Sequence, residues 1–260
     1  MPRSMHPIAV LGLLGLAACQ TAPRAEADFL TRYEGLTQRD GTIRASVRER
    51  RDDAAATAIE RVWIEPAALV GEAGQALTGA EREAVRREVE RQACYEVSER
   101  FTVVPTRETA AGRLRLGVTH IAPTGRVGGA AAAAANYFIP GPLGVRVPGT
   151  TGGLAAEAEL LGPSGDQVAA LAWARNATVV GTDDPSLSRV GDAHQLAEPF
   201  ADALGDAIAP TSRRRRPPGR PDPCAAYGPR FSPAGFAAGM ATGLYVPELT
   251  GARPQDPDAE

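Results

Sequence analysis

Apolar and polar positions recur along the chain in patterns that predict a small set of helices and strands. Apolar residues at helical spacing predict a first helix over residues 28–36, "DFLTRYEGL", with Asp28 as its N-cap. Residues 61–69, "RVWIEPAAL", are rich in β-branched and aromatic side chains and predict a strand that Pro66 bends or places at an edge. The highly charged segment 44–60 between them is ambiguous.

The clearest helix signal follows this strand. Thr78 and Glu81 have the spacing of a capping box. Apolar residues then recur every four positions and form one face: Val85, Val89, Ala93, Val97 and Phe101. Arginine and glutamate fill the remaining positions, which predicts a solvated face. A short buried strand, "FTVV", comes directly after this helix.

The second half of the chain predicts three more elements. Residues 113–121 alternate apolar and polar positions, as a half-buried strand does. Residues 153–178 predict an antiparallel hairpin around the turn "GPSGD" at residues 162–166. Its first strand has one face of Leu154, Ala156, Ala158 and Leu160, and its second has Leu171 and Trp173. Residues 192–209 carry the apolar stripe of a closing helix, with Asp192 as candidate N-cap.

Two stretches lack such periodicity. Residues 123–153 contain a run of six alanines that is compatible with a short helix, but the flanking glycines and prolines favour a long loop. Residues 211–260 form a tail rich in Arg, Pro and Gly, for which we expect mostly irregular structure. The elements together predict an α+β (mixed α/β) domain over residues 28–210. A β-α-β unit precedes an antiparallel hairpin and a closing helix, in a single sheet with helices on one face and the other face partly open.

Composition supports a folded domain without indicating an activity. Apolar residues make up 43% and charged residues 23% of the 260 residues, which is enough for a core. Aromatic residues are only 5%, so the core has to be built from small side chains. The formal net charge of −3 does not indicate a nucleic-acid-binding protein, which usually has a basic domain.

The N-terminus has an uncharged run, residues 7–18, that ends on "LAAC" at Cys19. The run is shorter than the roughly 20 residues that a membrane-spanning helix needs, but it suits the apolar core of a signal peptide. The order of a leucine, two small residues and a cysteine resembles the lipobox of bacterial lipoproteins. That resemblance implies a signal peptide over residues 1–18, cleavage before Cys19 and attachment of acyl chains, such as palmitate, to this residue. An ordinary signal peptide that happens to contain a cysteine is the alternative.

The lipobox resemblance also implies a compartment. By the sorting rule of enteric bacteria, Gln20 rather than Asp after the cysteine indicates the outer membrane, with the domain facing the periplasm. Residues 19–27 would then be a lipidated tether. The expected partners are the membrane, reached through the lipid anchor, and a protein of the envelope.

Several motifs, taken in order, resemble one bacterial lipoprotein family, catalogued as domain of unknown function 3313. After the lipobox they are "DFLTRYEGL", "VWIEPAAL", "FTVV", "RLRLGVTHIAPTG" and the hairpin "LAAEAELLGPSGDQVAALA". The resemblance covers residues 28–209. It implies an envelope lipoprotein with a mixed α/β domain and supplies no catalytic residues.

Once Cys19 carries the lipid, Cys94 and Cys224 are the remaining cysteines. Disulfides form in the periplasm, so we expect these two to be bridged, which would pin the tail to the domain. Free thiols and intermolecular pairing are the alternatives. Neither cysteine has a histidine or asparagine at the spacing that would indicate a catalytic thiol.

The remaining sequence patterns give only weak indications of a metal, cofactor or catalytic site. Neither His120 nor His194 has a ligand partner at i+2 or i+4, so we expect no metal site. No phosphate-binding loop, dinucleotide fingerprint or nucleophile elbow is present, so we expect no cofactor. Glu157 and Glu159 share one face of a strand, where a solvated sheet face is a simpler interpretation than a catalytic carboxylate pair.

The one strong charge run is Arg213, Arg214, Arg215 and Arg216. It is either a solubilising, disordered linker or a contact with anionic lipid headgroups, worth about 1 kcal/mol for each arginine near the surface. A nucleic-acid partner is not expected in the periplasm.

We therefore expect a membrane-anchored envelope lipoprotein that is not an enzyme and binds a partner, through its open sheet face or residues 123–153. The alternative is an envelope glycan- or lipid-modifying enzyme that uses carboxylates such as Glu157 and Glu159, for which a cleft would have to hold the two groups roughly 5–9 Å apart. A purely structural role is a third possibility.

Overall fold

The structure, a computed structural model, describes residues 26–40, 42, 45–137 and 144–252. Within these residues the strands are β1 (Thr37–Gln38), β2 (Ala45–Arg51), β3 (Arg61–Ile64), β4 (Ala68–Leu69), β5 (Thr102–Val103), β6 (Gly112–Ala122), β7 (Gly144–Val145), β8 (Gly153–Leu161), β9 (Gln167–Asn176) and β10 (Val180–Gly181). The α-helices are α1 (Asp53–Ala58), α2 (Gly79–Ser98), α3 (Arg126–Tyr137), α4 (Gly191–Ile208), α5 (Pro233–Thr242) and α6 (Pro247–Thr250).

The main sheet has eight strands, in the order β1-β2-β9-β8-β6-β3-β5, with β4 also paired to β6. Strands β2, β9, β8 and β6 pair antiparallel, whereas β3 pairs in parallel with both β6 and β5. Strands β7 and β10 form a separate antiparallel ribbon. The expected β-α-β unit is β3-α2-β5, the hairpin is β8-β9 and the closing helix is α4. The α+β prediction is confirmed.

The core lies between one face of this sheet and helices α2 and α4. Trp173 of β9 and Phe200 of α4 meet edge to face, with ring centroids 5.8 Å apart. The predicted apolar faces of β6, the hairpin and both helices are buried together in this cluster. The capping box of Thr78 and Glu81 is also present at the start of α2. These elements follow directly from the period of their apolar residues.

The predicted first helix, residues 28–36, is wrong. Residues 26–36, which we call the N-terminal strap, are irregular and lie across the sheet face opposite α2 and α4. Asp28, the predicted N-cap, has a positive φ of 55° rather than the extended conformation of an N-cap residue. The ring of Phe29 lies against Gly117 of β6, where an added Cβ would be 2.8 Å from the ring. The sheet face that we expected to be partly open is therefore covered.

Other expectations need smaller corrections. The strand over residues 61–69 is divided into β3 and β4, with Pro66 between them, and the charged segment before it forms β2 and α1. The alanine run expected in a loop forms α3, because alanine has the highest helix propensity. The N-cap of α4 is Val190, and Asp192 lies inside the helix.

The chain beyond residue 210 packs on the domain. Residues 211–232 are mostly irregular and are followed by α5 and α6. The backbone N–H of Ala252 donates to the carboxylate of Glu88 at 2.7 Å, which places this segment on the outer side of α2. Glu88, Glu90 and Arg91 are buried, so part of the α2 face that we expected to be solvated is covered by the chain's own C-terminal segment.

Candidate functional site

Glu157 and Glu159 lie beneath the N-terminal strap, and both are 0% exposed. The expectation of a solvated sheet face is wrong, because the strap supplies hydrogen-bond donors to both carboxylates. Tyr33 donates its hydroxyl to Glu157 at 2.5 Å, and the backbone N–H of Ala27 donates to the other oxygen at 3.0 Å. Glu159 accepts from the backbone and the hydroxyl of Thr31, each at 2.8 Å.

The electrostatics of this pair fit a structural role. Burial raises the pKa of Glu157, and the hydrogen bonds from Tyr33 and the strap backbone oppose that rise. Burial and the hydrogen bond to Glu157 raise the pKa of Tyr33 to about 12, so the hydroxyl keeps its proton at neutral pH. Arg115 pairs with Glu159, and its guanidinium lies 4.7 Å over the ring of Phe29. The chain's own groups therefore occupy both carboxylates.

Tyr33→Phe is expected to lower the free energy of unfolding by about 1–3 kcal/mol, because it leaves one oxygen of a buried carboxylate unpaired. The hydroxyl also accepts the backbone N–H groups of Phe29 and Leu30, at 2.9 and 3.3 Å, and they lose this partner too. Urea unfolding followed by tryptophan fluorescence measures the change. The matched control is Tyr227→Phe, which removes a phenolic hydroxyl outside the N-terminal strap, from a ring that lies under the guanidinium of Arg87. Equal effects of the two changes would contradict the proposed role of Tyr33.

The two candidate disulfide residues lie together. Cys94 of α2 and Cys224 of the C-terminal segment form a disulfide in the structure, with their Cα atoms 5.9 Å apart. Both are buried, and they pack beside Tyr95. The guanidinium of Arg230 lies 4.3 Å over the Tyr95 ring, so the segment around Cys224 is attached to α2 by more than the bridge.

The arginine run is in contact with the domain. Arg213 lies 4.4 Å over the ring of Phe101, and Arg215 is 3.1 Å from the carboxylate of Glu96. Arg216 donates its backbone N–H to the carbonyl of the α2 C-cap residue at 2.8 Å. Arg214, Arg215 and Arg216 are exposed. Contact of these arginines with anionic lipid stays a prediction.

The two histidines lie in different environments. His120 is exposed on β6, beside a register shift, whereas His194 is 4% exposed in the first turn of α4. Burial lowers the pKa of His194, and both of its ring nitrogens lack a hydrogen-bond partner within the described part of the chain. Across residues 26–40, 42, 45–137 and 144–252, no group of three or more His, Cys, Asp and Glu is placed to hold a metal ion.

The sequence did not reveal a buried ion pair between Arg146 and Asp192. The guanidinium of Arg146 donates to both carboxylate oxygens, at 2.5 and 2.9 Å, and both side chains are almost fully buried. The backbone N–H of Gly152 donates to the same carboxylate at 2.6 Å. The pair therefore ties residues 144–152 to the start of α4. A lone arginine in an otherwise apolar, Gly-rich stretch was the signal that could have indicated it.

A cleft of about 800 Å³ lies between α4 and α5, and we call it the C-terminal cleft. One wall has the apolar side chains of Phe231, Phe236 and Met240, and the other has polar groups that include Asp184 and Glu198. None of these residues was singled out from the sequence, because the cleft forms only when the C-terminal segment packs against α4.

The predicted lipid site, Cys19, and the signal peptide before it lie outside the described residues. No helix in the part of the chain that the structure describes has both the length and the apolar character needed to cross a membrane.

Comparison with known proteins gives a family and a distant structural likeness. Two solved PelC dodecamers from Paraburkholderia phytofirmans, one of them a point variant, are 13% and 14% identical to this chain. Each likeness covers 62% of this chain and 97% of the other, with a TM-score of 0.36. No curated protein matches the chain.

A family model described as "Protein of unknown function (DUF3313)" matches residues 25–204. This range contains the N-terminal strap, every strand of the main sheet, α2 and most of α4. Because the match spans more than half of the chain and nearly all of the core, the chain belongs to the DUF3313 family.

Proposed function

We propose that this protein is a lipid-anchored binding protein of the bacterial envelope, held at the outer membrane and facing the periplasm, and that it is not an enzyme. The claim that it is not an enzyme rests on the hydrogen bonds that the N-terminal strap donates to both Glu157 and Glu159. Arg115 and Gln167 donate to the remaining acceptor positions of Glu159. A carboxylate can act as an acid or base only when a substrate can reach it. The alternative of a carboxylate enzyme would require the strap to leave the sheet.

Exposed apolar side chains support a binding role. Within the described residues, several of the exposed apolar side chains lie in two groups. Around α3 and the β7-β10 ribbon they are those of Val127, Val145, Val147 and Val180. Beside α5 they are those of Phe231, Phe236 and Met240. Exposed apolar patches mark interaction sites more often than scattered single residues do. The first group includes part of residues 123–153, the stretch that we expect from the sequence to be a contact surface.

The anchor rests on Cys19 and the residues before it. One acyl chain holds a protein at a membrane only marginally, whereas two or more hold it stably, so a lipid-modified Cys19 would suffice as an anchor. The first described residue, Glu26, is seven positions downstream, which at about 3.3 Å per residue keeps the domain within roughly 25 Å of the lipid.

Metabolic labelling with an alkyne analogue of palmitate tests the anchor. The full chain is expected to carry the label and to sediment with membranes, and Cys19→Ser is expected to lose both properties. The matched control is Cys94→Ala/Cys224→Ala, which retains only Cys19 of the three cysteines and should keep the label. Label retained by Cys19→Ser would refute the anchor.

Recovery of a partner from solubilised envelopes tests the binding role. The wild-type chain is expected to recover the same protein reproducibly, and Val127→Asp/Val180→Asp is expected to recover less of it. Gln75→Asp/Thr106→Asp adds the same charge at exposed positions elsewhere and serves as the control. Failure to recover any reproducible partner would count against the proposal.

A further inference from the structure

The C-terminal cleft has an apolar wall that remains open to solvent. Phe231 and Phe236 are about 60% exposed, with ring centroids 6.0 Å apart, and Met240 is 76% exposed. Aromatic and methionine side chains are the anchors that protein interfaces use most often. In the described chain nothing covers these three side chains, although they line a space of about 800 Å³.

The positive charges around the cleft are already neutralised by ion pairs. Arg175 pairs with Asp183 at 2.9 Å. Arg91 pairs with Glu88 at 2.6 Å, and Arg230 pairs with Asp222 at 2.8 Å. These arginines therefore contribute little net charge to the space between α4 and α5.

The negative charges are not neutralised to the same degree. Within the described residues, Asp184 and Glu198 have no ion pair, and Asp202 has one only with the exposed Arg215, at 3.5 Å. Burial and the neighbouring Asp183 raise the pKa of Asp184, while burial and the carboxylates of Glu96 and Glu198 raise that of Asp202. Because four carboxylates and three arginines line the cleft, it has a small excess of negative charge.

His194 provides a second sign of an unfilled site. It is 4% exposed and lines the same cleft, and neither ring nitrogen has a hydrogen-bond partner among the described residues. Buried polar atoms are normally paired, so an imidazole without a partner needs an explanation. A carboxylate oxygen of Glu88 lies 4.0 Å from its Nδ1, which is beyond hydrogen-bond distance.

We propose that the C-terminal cleft binds a peptide segment of a partner protein in which apolar side chains are flanked by arginine or lysine. The apolar side chains would pack on Phe231, Phe236 and Met240, and the basic groups would meet Asp184 and Glu198. Basic groups beside exposed aromatic rings also gain cation–π attraction. This inference rests on the proposed binding function and names the surface and the partner chemistry.

Photo-crosslinking of the full chain in its own envelope tests this inference. Benzoylphenylalanine in place of Met240 is expected to form an adduct on irradiation, and mass spectrometry identifies the attached segment. The expected segment carries arginine or lysine next to apolar residues. An adduct with a lipid acyl chain, with an acidic or uncharged segment or with a second copy of this chain would overturn the proposal, as would the absence of an adduct.

The peptide identified in this way is then synthesised and titrated against the full chain in detergent. Asp184→Asn/Glu198→Gln is expected to weaken its binding about tenfold, because two exposed ion pairs are lost. Glu34→Gln/Glu72→Gln removes the same charge at exposed positions elsewhere and should leave the binding unchanged. Equal weakening by the two pairs would overturn the assignment of the site.

The same crosslinker in place of Val127 separates this inference from the proposed function. Adducts at position 127 with none at position 240 would overturn the cleft proposal and leave the binding role intact. Protein adducts at neither position would overturn both.

Discussion

Replacing both Cys94 and Cys224 by alanine is expected to lower the free energy of unfolding by about 4–5 kcal/mol. The bridge joins residues 130 positions apart. In the chain-entropy model, a closed loop of this length lowers the entropy of the unfolded chain and so raises its free energy by about that amount. The loss is expected to be greatest in the C-terminal segment, since Cys224 lies at the point where that segment meets α2.

Guanidinium unfolding of the wild type and of Cys94→Ala/Cys224→Ala measures this loss. The wild type unfolded in the presence of a reductant is the control, and it should become as unstable as the double variant. Mass spectrometry of the non-reduced chain checks the premise. Two thiols at these positions that react with an alkylating reagent would refute the disulfide in the native protein.

Asp192→Ala is expected to lower the free energy of unfolding by about 3–5 kcal/mol, because it leaves the guanidinium of Arg146 buried without its counter-charge. The pair is almost fully excluded from solvent and makes two hydrogen bonds. The substitution also removes the acceptor of the Gly152 N–H. Residues 144–152 are therefore expected to separate from α4 before the sheet unfolds.

Hydrogen exchange of residues 144–152, together with equilibrium unfolding, checks this expectation. Arg146→Met/Asp192→Leu is expected to recover part of the loss, since it removes both buried charges at similar volume. Arg189→Ala is the control, because its ion pair with Glu81 is partly exposed and should contribute about 1 kcal/mol or less. If Asp192→Ala lowers the free energy of unfolding by no more than Arg189→Ala does, the burial of the pair has little energetic effect.

The elements with a regular apolar period could be predicted from the sequence. The capping box marks the start of α2, and the alternation in β6, β8 and β9 identifies the residues that face the helices. These signals are local, because each arises from the period of one helix or one strand. The turn "GPSGD" likewise specifies the β8-β9 hairpin from a few adjacent residues.

The strap and the site beneath it could not be predicted in this way. Phe29, Leu30, Tyr33 and Leu36 have helical spacing, but several of them pack on a sheet face instead. The bonds of Thr31 and Tyr33 to the β8 carboxylates span 128 and 124 positions of sequence. No local pattern shows that two glutamates on alternate strand positions will receive donors from so far away. For the same reason, the sequence did not indicate the ion-pair partner of Arg146 or the C-terminal cleft.

The N-terminal strap determines where a mechanical load would enter the molecule. A pull on the chain upstream of Glu26 reaches Glu157 and Glu159 through the strap, and both residues lie on β8. Strand β8 is the middle strand of the ordered path through the sheet and is hydrogen-bonded on both sides, to β9 and β6. The load therefore reaches β8 through these hydrogen bonds and β2 through the ion pair of Glu26 with Arg48, and both are inner strands of the sheet.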